Sequence, residues 1–299
     1  MVVKHAVSAE AVLPGKKLHL SFKIGKKMVS IADSFVYTAG LIVMAIIVCA
    51  LFPQWIAPYA PTQMMADAIL KHPSAAHIFG TDYYGRDVFS LVVYGSRDSL
   101  FIGVVSVLIG AAAGGTMGAL SGYIGGWVDG LLMRFVDVLM TIPGLLLALA
   151  IAAALGPSFF NVVLAVSISA VPGYARVMRS QVIALKGRPF IAASRSIGSK
   201  HLHIFTRHIL PNSLSPLLVM GTIGVGSSIL IGSGLSFLGL GVFREIPDWG
   251  TLLSQGRGYL TVAWWMATFP GLAITLFVLS VNLIGDKFRD HLDPKKQRT

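Results

Sequence analysis

Five stretches of this chain contain no aspartate, glutamate, lysine or arginine: residues 34–66, 99–128, 138–175, 208–243 and 258–285. Each is longer than the roughly 20 residues that an α-helix needs to cross about 30 Å of hydrocarbon. A water-soluble fold keeps charge within such distances, because its helices must show one face to solvent. In lipid the backbone must satisfy its own polar groups, so uncharged runs of this length become helices. The predicted fold class is therefore an all-α membrane protein with six transmembrane helices, near 35–57, 99–122, 128–155, 159–178, 213–240 and 261–285. The third begins among Asp129, Arg134 and Asp137, and the last two are spaced to pair near the membrane boundary. Pro143 and Pro172 are expected to kink the third and fourth spans.

The basic residues set an orientation. Residues 1–33, 176–207 and 287–299 hold eighteen of the 24 lysines and arginines, and six crossings put all three segments on one side. Basic residues stay on the cytoplasmic side, so both termini are predicted to be cytoplasmic. The net charge of +11 is accounted for by topology, and no RNA-binding motif accompanies it, so no nucleic-acid partner is expected. The alternating stretch Lys16–Lys27, with lysines at both ends, reads as a segment drawn to anionic lipid headgroups. A polar tract precedes the first apolar run, which is expected to remain as an anchor rather than act as a signal peptide.

Between the fourth and fifth spans lies FIAASRSIGSKHLHIFTRHILPN, residues 190–212. It is too polar for lipid and too regular for a slack loop. Phe190, Ala193, Ser194 and Ile197 recur with helical spacing, and Pro189 suits a first helical position. Gly198 suits a left-handed stop, Ser199 a cap for the next helix, and Leu202, Phe205 and Ile209 mark one face of a second helix ending at Leu-Pro-Asn. A helical hairpin of this kind presents an apolar ridge to something outside the chain. In the second span Gly110, Gly114, Gly118, Gly122 and Gly126 recur every fourth residue, one step after Ser106. That stripe predicts close backbone packing against another helix.

The hairpin also resembles the EAA motif of ABC-importer permeases, in which Glu-Ala-Ala is followed by a Gly and then by Leu-Pro. Ala193 matches an Ala, Gly198 the Gly, and Leu210-Pro211 the Leu-Pro; Ala192 stands where the family usually has Glu, and Ser194 where it has the second Ala. Three further blocks fall in the family's order. Phe79, Gly80, Thr81, Asp82, Gly85, Arg86, Asp87 and Ser90 match FGTD-x-x-GRD-x-x-S, and Asp82 and Arg86 are spaced for an ion pair. Residues 234–241 read GLSFLGLG, with Pro247, Trp249 and Gly250 after them, and 282–294 read NLIGDKFRDHLDP. On these blocks the chain resembles the second permease of dipeptide, oligopeptide and nickel importers.

That resemblance implies the type I ABC importer permease fold, in a bacterial cytoplasmic (inner) membrane. It implies a cytoplasmic tail at 1–34, a first helix with an external segment at 35–98, a five-helix core at 99–286 with a coupling hairpin at 187–212, and a second tail at 287–299. Ala192, Ala193, Ser194, Ile197, Gly198, Ser199, Lys200, Leu210 and Pro211 would meet the ATPase. Gly110, Gly114, Gly118 and Gly122 would pack helices, and Asp82, Arg86, Asp87 and Trp249 would belong to the outer segment and its gate. The implied partners are a homologous permease subunit, two ATPase subunits, an extracytoplasmic solute-binding protein and membrane lipid. The implied role is ATP-driven uptake of di- or oligopeptides, with nickel or a metal chelate as the alternative cargo.

Residue types bear on energy and chemistry independently of family. No GxxxxGK(S/T) segment occurs, so ATP and magnesium are expected on partner ATPases and no cofactor on this chain. No acidic or histidine relay crosses the spans, which disfavours a secondary transporter or channel that works without an ATPase. His72, His77, Asp82 and Asp87 fit no compact ligand set, so no metal site and no catalytic residue is expected, and the chain is read as a non-catalytic subunit.

Overall fold

A computed structural model describes residues 6–9, 20–23, 26–241 and 244–292. Much of Lys16–Lys27, the tail residues Lys295, Lys296 and Arg298, and the closing Asp293-Pro294 lie outside the described residues. Strands β1 (Ala6–Ala9) and β2 (Leu20–Lys23) pair antiparallel with Ala6 opposite Lys23. This short ribbon is an addition to the expected all-helical fold; every candidate membrane span is helical.

Helix α1 (Lys26–Leu51) stops two residues before Pro53, whose ring disfavours helical backbone in the residue preceding it. A short α2 (Pro53–Ile56) then opens on that proline. Helix α3 (Val88–Ile124) is 37 residues long, about 55 Å at the α-helical rise. It starts well before the expected residue 99 because Asp87 caps it, accepting from the Ser90 amide and hydroxyl at 2.8 Å each. The uncharged run begins only after Arg97 and Asp98, and the helix extends beyond it on that side.

The expected third span is two helices. α4 (Gly126–Met140) and α5 (Gly144–Leu155) meet at 91°, with Pro143 at the break. With no N–H and a fixed φ, proline cannot carry the helix through that point. α6 (Phe159–Lys186), by contrast, continues through Pro172 without a break. Asp137 pairs not with Arg134 but with Arg176 of α6 at 2.6 Å. Asp129 of α4 takes both Nε and Nη2 of Arg179 at 2.6 Å and accepts from Ser121 as well. Two ion pairs thus hold α4 along α6.

The remaining elements are α7 (Pro189–Ser196), α8 (His201–Ile204), a π-helical turn (Phe205–Ile209), α9 (Leu210–Phe237), α10 (Trp249–Arg257) and α11 (Trp265–Leu292). α3 and α6 run side by side in step. Ser106 donates to the Val163 carbonyl at 3.1 Å, and Cβ atoms built on Gly110, Gly114, Gly118 and Gly122 would lie 3.0, 2.4, 2.2 and 2.9 Å from the Ser167, Val171, Ala175 and Arg179 carbonyl oxygens. Gly126 is not part of this stripe: α3 has ended, and a Cβ there would meet nothing within 4 Å.

Among the described residues, apolar side chains gather in three clusters. One, around Val88, Leu91, Trp249 and Trp265, sits where α10 and α11 meet the start of α3. The second, around Ile102, Ala148, Val166 and Leu235, holds α5 against α3, α6 and α9. The third, around Tyr174, Met178, Ile191, Ile204 and Ile209, lies at the hairpin end.

Candidate functional site

A cavity of 860 Å³ opens between the α4–α5 bend, α6 and α9. The bend supplies Ile142, Pro143 and Leu147, and α6 supplies Val166, Ala170 and Tyr174. Every fourth residue of α9 from Ser215 to Ile231 (Ser215, Val219, Ile223, Ser227 and Ile231) faces it. The walls are apolar carbon with serine hydroxyls set among it. Among the described lining residues, Arg289 of α11 is the one that carries charge. Such a surface offers van der Waals contact and a few hydrogen bonds, with one guanidinium as its fixed charge.

The hairpin lies at the far end of α6. Pro189 is the first residue of α7, and Gly198 ends it with φ +85°, in the left-handed region expected from the sequence. Ser199 does not cap the next helix; Lys200 occupies that position without a side-chain cap bond. Ala192, Ala193 and Lys200 are exposed, Ser194 and Ser199 half-buried, and Ile197 is 83% exposed. Phe190 and Leu202, at 46% and 73%, extend this uncovered apolar surface.

The second half of the hairpin departs from the expected pattern. Ile204 and Ile209 are both fully buried, Phe205 is half-buried, and Leu202 points out, so the expected Leu202–Phe205–Ile209 face is divided. Nor does the helix end at Leu-Pro-Asn: a continuous helical run extends from His201 to Phe237. The cause is the π-turn, in which the Leu210 amide donates to the Phe205 carbonyl, five residues back. One added residue per turn brings Ile204 and Ile209 to the same side. It also precedes Pro211, which has no N–H to continue an α-helical ladder. Leu210 is half-buried and Pro211 exposed.

The residues expected in an outer segment form a cap at the opposite end of α3. Arg86 Nε donates to Asp82 Oδ2 at 2.7 Å, in a turn rather than a helix, and both side chains are buried. Arg86 Nη1 also donates to the Glu245 carbonyl at 3.3 Å. Asp87 caps α3 and lies 3.0 Å from His77 Nδ1. Trp249 is 1% exposed and its indole donates to the Val92 carbonyl at 2.9 Å, while Trp265 donates to the Thr81 carbonyl at 2.9 Å. His72 packs its ring on Trp265 at 4.6 Å. None of Asp82, Arg86, Asp87 or Trp249 lines the cavity; they bind the loop to α3, α10 and α11. Breaking one partner of a buried pair such as Asp82–Arg86 costs about 3–5 kcal/mol, which suits an anchor. At the start of α10, burial raises the Asp248 carboxyl above its usual range, opposed by hydrogen bonds from Thr251, Ser236 and the Gly250 amide.

Residues 114–298 match the family described as binding-protein-dependent transport system inner membrane component. The chain belongs to this family. The permease is 42% identical over 258 residues to the probable D,D-dipeptide transport system permease protein DdpC of Escherichia coli K12, covering 86% of this chain and 87% of that protein. It is 47% identical over 259 residues to the glutathione transport system permease protein GsiD of Escherichia coli O6:K15:H31, covering 86% of each. Its fold is similar to that of a structure of the MetNI methionine ABC transporter in inward-facing conformations, with TM-score 0.55 and 19% identity over 68% of this chain and 96% of that one. The permease has the type I ABC importer fold and is a multi-pass inner-membrane component of a binding-protein-dependent transport system.

The cavity walls and the Asp129–Arg179 pair are not legible in the sequence alone. The four-residue repeat of Ser215, Val219, Ile223, Ser227 and Ile231 is visible in the sequence, but nothing there says that this face of α9 meets a cavity rather than lipid.

Proposed function

We infer that this permease forms, with a homologous permease subunit, the pathway for ATP-driven uptake of short peptides across the inner membrane. The observation that carries the reading is the serine-dotted, mainly apolar cavity of 860 Å³, in which Arg289 is the one charged residue among the described lining. Its size falls in the roughly 300–1,000 Å³ range of small-molecule sites. A dipeptide or a glutathione-like tripeptide has charges that vary with its side chains, and a wall of mainly apolar carbon and hydroxyls, with Arg289 as its single cation, places few demands on them. Selection then falls to an external solute-binding protein, and energy to two ATPase subunits that hold ATP and magnesium. The relatives named for D,D-dipeptide and glutathione transport point to the same cargo class.

In this reading the exposed surface from Phe190 to Leu202 docks on the ATPases. Their closure displaces the hairpin, and the helices around the cavity turn it from one side of the membrane to the other. Residues 35–98 add a first helix and the cap to a five-helix core at 99–286. The chain makes no covalent bond at any stage.

The decisive measurement is uptake in proteoliposomes that contain the purified complex and its binding protein, using labelled D-alanyl-D-alanine, glutathione and a nickel–histidine chelate. ATP-dependent accumulation of one of the peptides is expected. Accumulation of the chelate alone would replace the cargo class, and accumulation without ATPase subunits would overturn the mechanism.

Both termini are assigned to the cytoplasm, on the concentration of basic residues in 1–33, 176–207 and 287–299. Reporter fusions at residue 65, in the loop before the cap, and at residue 195, in α7, are expected to report opposite sides, with 195 inside. Both on one side would reject the six-crossing topology.

A further inference from the structure

The hairpin is tied to the helix bundle by a residue outside its own motif. Tyr123 stands one residue before the end of α3. Its hydroxyl donates to the His201 carbonyl at 2.7 Å, and its ring centroid is 4.8 Å from that of Phe205. Its own carbonyl accepts from Lys186 Nζ, at the end of α6, at 2.6 Å. One residue therefore joins the start of α8 to the ends of both α3 and α6.

We propose that Tyr123 is a positioning residue for energy transmission, carrying displacement of the hairpin into the α3–α6 pair; this rests on the reading of the hairpin as the ATPase contact. Among the described residues, the hairpin's backbone links run through single elements at each end. Gly187 links α7 to α6, and the π-turn links α8 to α9. Ile191, Ile204 and Ile209 anchor the hairpin in the core beneath it, but apolar contact is non-directional. A hydrogen bond adds a fixed direction.

What the tie connects to gives it leverage. α3 lies against α6 backbone to backbone along the glycine stripe, so the two move as one body. α6 is one wall of the cavity and α9 another. Displacement passed through Tyr123 therefore moves one wall as a unit. Displacement passed only through the π-turn pushes on the α9 wall alone. The tie decides which wall follows the ATPases.

The test uses the full complex in nanodiscs with spin labels on Leu139→Cys and Ser215→Cys, which line the cavity from α4 and α9, in a Cys49→Ser background. Tyr123→Phe keeps the ring against Phe205 and removes only the hydroxyl. It is expected to purify with its ATPases and hydrolyse ATP within about twofold of the parent. The ATP-induced shift in the label-to-label distance should lose about fivefold in its equilibrium, the effect of one missing hydrogen bond. A shift of parental size overturns the proposal. So does loss of yield and bound ATPase in proportion to the loss of shift, because that marks a structural role. Gly198→Val in the same assay separates the two readings. If it too shifts like the parent, the hairpin is not the ATPase contact; if it fails while Tyr123→Phe shifts normally, only the role of Tyr123 is lost.

Discussion

Gly118→Leu is expected to prevent the permease from assembling in the membrane. A Cβ at that position would lie 2.2 Å from the Ala175 carbonyl oxygen, 2.9 Å from the Arg179 amide and 2.9 Å from the Met178 Cβ. Two of these three obstacles are backbone, which cannot rotate aside as a side-chain tip can. α6 is also held in place at this level by the Arg179–Asp129 pair. The leucine must then separate α3 from α6 along a shared helical face, and the neighbouring contacts at Gly114 and Gly122 open with it. Overpacking of a tight core costs about 1–3 kcal/mol, and more where backbone must move. In lipid no hydrophobic drive between helices offsets the lost packing. The measurement is yield of monodisperse protein after detergent extraction, with Gly130→Leu as control because a Cβ there meets nothing within 4 Å. Gly114→Leu should behave like Gly118→Leu. Normal yield and full uptake in both would show that the stripe tolerates separation and does not hold the bundle together.

Gly198→Val is expected to leave the fold intact and abolish coupling. With φ at +85°, a β-branched residue pays a steric cost of about 1–2 kcal/mol, or the backbone leaves the left-handed region. Space is not the issue, since a Cβ at Gly198 meets nothing within 4 Å. The whole effect is therefore a change in the angle between α7 and α8. Ile191, Ile204 and Ile209 still anchor each half in the core, so insertion and pairing with the partner permease should survive. What moves is the surface around Ile197 to Lys200, where the ATPase is proposed to dock. Uptake should fall to background while hydrolysis either disappears with the lost subunits or runs idle. Gly198→Asn, which tolerates left-handed backbone, should retain most of the coupling. Ala192→Glu adds a carboxylate to an exposed position and should be tolerated. Wild-type uptake per ATP in Gly198→Val would sink the claim that this hairpin carries the energy.

These two glycines mark the boundary of what can be read from the chain. Their positions were legible because each answers to a local rule: a four-residue repeat places Gly110 to Gly122 on one face, and a glycine between two helical patterns stops the first. The partner of the stripe was not legible. Any of the other spans offers a smooth enough face, and the choice of α6 depends on Ser106, Asp129 and Asp137 finding Val163, Arg179 and Arg176 at matching heights.

The misreadings have local causes of the same kind. Arg134 and Asp137 are spaced to pair on an isolated helix, yet Arg176 reaches Asp137 from a neighbouring one. The inward face of the second hairpin helix was misplaced because periodicity assumes an unbroken α-helix, and a π-turn shifts the phase by one residue. A proline was expected to kink both the third and fourth spans. At Pro143 the helix is broken, with α5 starting one residue later and turning 91° from α4, whereas Pro172 is absorbed within α6.

What the sequence determined by itself is everything that follows from the solvent. Long uncharged runs can only be membrane helices, because an unpaired backbone group in hydrocarbon costs several kcal/mol and a helix alone satisfies it within one segment. The glycine hinge, the cap on α3 and the order of the motifs follow from rules that act within a few residues. The tertiary structure decided what depends on distance through space: which helix faces the glycines, that the FGTD block anchors a cap and leaves the cavity to the α4–α5 bend, α6 and α9, and that Tyr123 closes on the hairpin. Contacts between helices in lipid depend on complementary shape more than on polarity, and shape at a given height along a helix is set by neighbours that no single segment contains.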